Sequence, residues 1–96
     1  MGDKERYQQE LQAQLDAWMK DLEKFRGLSA RASADARVAM MANIVALEEK
    51  IAENHAKLGE LANASEEAWA SMKEGLESAW ASMKSAFNDA AAKFKD

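Results

Sequence analysis

Ala68-Trp69-Ala70-Ser71-Met72-Lys73 returns eleven residues on as Ala79-Trp80-Ala81-Ser82-Met83-Lys84, and again in altered form as Ala90-Ala91-Ala92-Lys93-Phe94-Lys95. Eleven residues make close to three turns of α-helix, so equivalent positions stack along one face. Trp69, Met72, Leu76, Trp80, Met83, Phe87, Ala91 and Phe94 fall within one narrow arc at helical pitch. Ala68, Gly75, Ala79, Ala86 and Ala90 border that arc on one side, and Lys73, Lys84 and Lys95 on the other. Full burial of the large side chains, at roughly 1.5–3 kcal/mol each, is worth on the order of 10–20 kcal/mol gross. Such a face must meet another helix of the chain, another copy, or a membrane surface.

The rest of the composition agrees with helix. There is no proline, glycine is confined to Gly2, Gly27, Gly59 and Gly75, and the chain is rich in Ala, Glu, Lys, Leu, Met and Gln. The expected class is all-α, with residues 1–96 forming one helical domain.

Upstream, Tyr7, Leu11, Leu15, Trp18, Leu22 and Phe25 recur at spacings of four and three, the narrow seam of a coiled-coil helix. A second regular series runs through Met40, Ile44, Leu47, Ile51, Asn54, Leu58 and Leu61. Asn54 holds a core position in it. A buried Asn there selects register or oligomer state, whereas a wet Asn at a frayed edge selects nothing.

Two breaks are in question. Around Gly59, Asn63, Ala64, Ser65, Glu66 and Glu67 the signals are strong: Asn63 or Ser65 is a good N-cap, and the two glutamates suit a first helical turn. The C-terminal helix, about residues 65–95, is expected to fold back from there. Gly27, preceded by Lys24 and Arg26 and followed by Ser29, resembles a helix C-terminus and a new start. Yet the seam also runs through Ser29, Ala32, Ala36 and Met40 without change of phase. Two layouts follow. A continuous helix over about 3–62 would form a helical hairpin (coiled coil) with the last helix and imply a dimer, while a turn near 27–29 would give a three-helix bundle.

Little in the chain suggests chemistry. No nucleophile has a base beside it, no Gly-rich phosphate loop is present, and Glu48-Glu49 and Glu66-Glu67 point about 100° apart on a helix. His55 is the only histidine and cysteine is absent, so neither a metal site nor a cofactor is expected. His55 reads as a solvated flank residue. The net charge of −4 is spread evenly, without a basic block for nucleic acid. Neither an enzyme nor a small-molecule substrate is expected. The first residues lack an apolar signal region and no apolar run is long enough to span a bilayer, so the expected address is cytoplasmic, with attachment to a membrane surface as the alternative.

The segment Tyr7-Gln8-Gln9-Glu10-Leu11-Gln12-Ala13-Gln14-Leu15-Asp16-Ala17-Trp18, then Ala32 to Arg37, Ala56 to Leu61 and the two Ala-Trp pairs, resembles small bacterial coiled-coil proteins labelled stress-response or uncharacterised. The resemblance covers most of the chain and implies long helices and no catalytic residues to carry over. Met40-Met41-Ala42-Asn43-Ile44-Val45 is less charged than the middle of such relatives. That departure predicts a larger buried face and argues against a purely extended dimer.

The functional expectation is therefore a non-catalytic interaction module that self-associates, as a dimer, through Leu15, Trp18, Leu22, Ile44, Leu47, Ile51 and Asn54. The alternative is a lipid-surface module using Trp69, Met72, Leu76, Trp80, Met83, Phe87 and Phe94, since an eleven-residue repeat keeps a face straight along a flat surface.

Overall fold

The computed structural model describes residues 2–94. Among them the chain forms α1 (Asp3–Ala30), α2 (Ala34–Ala62) and α3 (Glu66–Lys93), packed as an up-down-up bundle measuring 50 × 19 × 18 Å. Of the two layouts, the three-helix bundle is the one formed. The third repeat runs out of view at its end, since Lys95 and Asp96 lie outside the described residues.

Neither an uninterrupted helix to Ala62 nor a turn at Gly27–Ser29 is found. Gly27 sits inside α1, and no described glycine has a positive φ. The helix runs on through Ser29, whose side chain faces the core, to Ala30, with Arg31 at its C-cap. Ser33 then adopts extended backbone, φ −62° and ψ 162°, and its hydroxyl accepts from the Ala36 N–H at 3.4 Å. Arg37 reaches back, its guanidinium donating to the Ala30 and Ala32 carbonyls at 3.3 Å each. Those bonds satisfy carbonyls that the end of α1 leaves without partners.

The second turn repeats the first. Asn63 ends α2 with φ −95° and ψ −1°, close to the −96° and −4° of Arg31. Ser65 caps α3 by accepting from the Ala68 N–H at 3.2 Å, as Ser33 caps α2. Asn63 therefore closes α2 rather than opening α3, and its amide donates to the Gly59 carbonyl. The Lys4 ammonium ties this turn to α1 by donating to the Ala64 carbonyl at 2.7 Å.

Short loops make successive helices antiparallel, so α1 and α3 run parallel. Their register is visible in the aromatic rungs. The Trp80 indole N–H donates to the Leu11 carbonyl at 3.4 Å, Trp18 stacks on Phe87 with centroids 5.6 Å apart, and Phe25 meets Phe94 edge-on at 4.7 Å. These pairs step by seven residues along both helices, the period of a left-handed supercoil. The buried face of α3 follows that period too. Leu76, Trp80, Met83, Phe87, Ala90 and Phe94 are buried, whereas Ala91, drawn into the stripe at ideal helical pitch, is exposed.

Candidate interaction surfaces

The seam and the stripe are brought together inside one chain. Leu15 and Leu22 of α1, Ile44, Leu47, Ile51 and Asn54 of α2, Leu76, Trp80, Met83 and Phe87 of α3, and Phe94 at the C-cap of α3 are buried together. Trp18, Trp69 and Met72 are half-buried at the edge of this core. The side chains expected to join two copies are thus covered by α3 of the same chain. Equally, the face that could lie on lipid is turned inward.

Asn54 is buried, not wet. Its amide donates to the Lys50 carbonyl at 2.9 Å and to the Met83 thioether at 2.8 Å. A thioether is a weak acceptor, so this pair fixes the register of α2 against α3 more than it adds stability. Next to it in sequence, His55 is exposed. Among the described residues Ser29 is the other buried polar side chain, and its hydroxyl has no hydrogen-bond partner.

Between α1 and α3 the helices stand apart and leave an open groove of about 480 Å³. Leu11, Trp18 and Trp80 contribute to its apolar lining, with Tyr7, Glu10, Glu77 and Lys84 also along it. At the N-terminal end of this side, Tyr7 and Trp69 tilt together at 6.0 Å, and the Lys73 ammonium lies 5.6 Å from one ring and 5.7 Å from the other. That is cation–π distance, so Lys73, one of the lysines flanking the stripe, is engaged within the chain. Partial burial raises the pKa of Tyr7 above its ordinary value of 10.0, and the carboxylates of Glu77 and then Glu10 push it further the same way. Phenolate is disfavoured where water is scarce and negative charge is near.

The outer face of α2 differs from expectation. Met40 is half-buried and Ile44 buried, but Met41 and Val45 are 48% and 47% exposed and Val38 is 74% exposed. The low charge of the segment Met40 to Val45 does not give a larger buried face within the chain; its apolar surplus lies outside. Val38, Met41 and Val45, spaced three and four, form a second row on α2, turned away from the core by well over a quarter of a turn. The periodicity was present in the sequence, but the stronger series through Ile44, Leu47 and Ile51 masked it.

Among the described residues no group of three or more His, Cys, Asp or Glu side chains could hold a metal ion, and no helix is long and apolar enough to cross a membrane. Compared with known proteins, the chain matches no family model, no curated protein and no solved structure.

Proposed function

We propose that this chain is a non-catalytic helical interaction module that self-associates in its closed form, a role in keeping with the resemblance to bacterial stress-response coiled-coil proteins. The observation that carries the reading is the outer row Val38, Met41 and Val45. Exposed apolar side chains scattered singly need no explanation, but three on one helix face within two turns make a patch that water disfavours. The core does not supply this surface, because the seam residues are already packed against α3. The groove between α1 and α3 adds an open, partly apolar surface lined by Leu11, Trp18 and Trp80, of a kind suited to binding.

Sedimentation velocity from micromolar to millimolar protein tests the proposal. The sedimentation coefficient should rise reversibly with concentration while helicity stays constant. A single monomeric species over the whole range would overturn self-association.

A further inference from the structure

The groove between α1 and α3 carries its charge unevenly. Leu11 and Trp80, both almost fully buried, form its floor, and the half-buried Trp18 stands beside them. Ala17 and Ala81 also line it, both exposed and too short to close it. Its volume of about 480 Å³ falls within the roughly 300–1,000 Å³ of small-molecule sites.

Toward the N-terminal ends of the two helices the lining turns acidic. Glu10 and Glu77 are exposed beside Tyr7, and among the described residues neither has a cationic side chain within ion-pair distance. After burial, the fields of Glu77 and then Glu10 raise the pKa of Tyr7, so both carboxylates bear on its hydroxyl. That hydroxyl donates to the Lys73 carbonyl at 3.4 Å, which leaves its oxygen free to accept. The Lys73 ammonium is already engaged over the rings of Tyr7 and Trp69. Of the lining residues only Lys84 is basic, and it stands two turns past Glu77, roughly 10 Å along α3.

We propose that this groove binds a small organic cation with an apolar body, an arylalkylamine or alkylamine whose ammonium sits beside Glu10 and Glu77 and whose hydrocarbon part lies along Leu11, Trp18 and Trp80. Charge complementarity selects this class. A neutral molecule of the same shape gains the apolar contact and leaves both carboxylates unpaired. An anionic one meets two like charges and a single lysine. Aromatic rings at the site favour a cation further, and the net charge of −4 raises the local concentration of cations around the chain. The site lies on α1 and α3, so it is independent of self-association through the outer row of α2.

Titration with phenylbutylamine at pH 7 and low salt, followed by the indole N–H signals in NMR, tests the proposal. The signals of Trp18 and Trp80 should shift saturably, with a dissociation constant of about millimolar or tighter. Phenylbutanol should bind at least about threefold more weakly, and phenylbutanoate more weakly still. Glu10→Gln combined with Glu77→Gln keeps the size of both exposed side chains. It should bring the amine down to the affinity of the alcohol and leave the alcohol unchanged. Ala81→Phe fills the groove from an exposed position and should abolish binding of both at unchanged helicity. The proposal is overturned if no saturable shift occurs, if phenylbutanoate binds as tightly as the amine, or if the Gln pair binds the amine as the wild type does. None of these results bears on the sedimentation test of self-association.

Discussion

Two residues show how local chemistry sets stability in this bundle. Ser29 is buried with its hydroxyl unpartnered, and a buried hydroxyl without a bond costs about 1–3 kcal/mol. Ser29→Ala should therefore stabilise the protein by about 1 kcal/mol, aided by the higher helix propensity of alanine. A chemical denaturation midpoint that falls instead would contradict the assignment. Tyr7 gives a pH signature. Its pKa is higher folded than unfolded, so the favourable contribution of its neutral form is complete below pH 10.0 and is lost as the pH rises through the folded value. Between pH 9 and 11 the thermal midpoint of the wild type should fall more steeply than that of Tyr7→Phe. Parallel curves would show that Tyr7 ionises as freely in the folded chain as in the unfolded one.

At the scale of the element, the two turns explain both what could be read beforehand and what could not. Periodicity placed the helical faces well, because a core position must recur every three or four residues wherever the helix ends. Leu15, Ile44, Leu47 and Ile51 were legible for that reason. The first turn was not, because its in-phase small residues hide it and Gly27 offers a stronger textual signal than the chain uses. The pointer was the second turn. Arg31-Ala32-Ser33 with Asp35 two residues on has the same grammar as Asn63-Ala64-Ser65 with Glu66 and Glu67. In both, a serine cap follows an alanine and acidic side chains occupy the first turn, where the helix dipole favours them. Equivalent geometry predicts equivalent energetics. Ser33→Ala and Ser65→Ala should each cost about 1 kcal/mol, measured by thermal or urea unfolding. If Ser33→Ala had no effect while Ser65→Ala did, the first turn would be held by the Arg37 bonds alone.

For the whole molecule, the consequence is that one set of apolar residues answers two sequence expectations at once. The seam of α1 and α2 and the stripe of α3 cover each other, so neither is on offer to a partner in the closed state. Lipid binding by the α3 stripe would need α3 to leave the bundle and give up the Trp18–Phe87 and Phe25–Phe94 contacts. The outward row of α2 needs no such opening. Sequence pattern could not assign partners among these faces, because an up-down-up bundle and an extended two-helix dimer use the same heptad spacing. What separates them is the turn at Arg31 to Ser33, a matter of three residues.

That turn is open to direct measurement. The chain has no cysteine, so Glu5→Cys and Glu60→Cys can be introduced together and spin-labelled, and both positions are exposed. In the closed bundle these sites lie at the same end, where Lys4 bonds Ala64. With neighbouring helix axes about 8–10 Å apart, the distance between labels should fall below about 30 Å in pulsed dipolar spectroscopy. The labelled chain, diluted with unlabelled protein, should give that distance within single molecules. A continuous helix would hold the two sites roughly 80 Å apart at 1.5 Å per residue, and a distribution beyond about 60 Å would contradict the closed three-helix account.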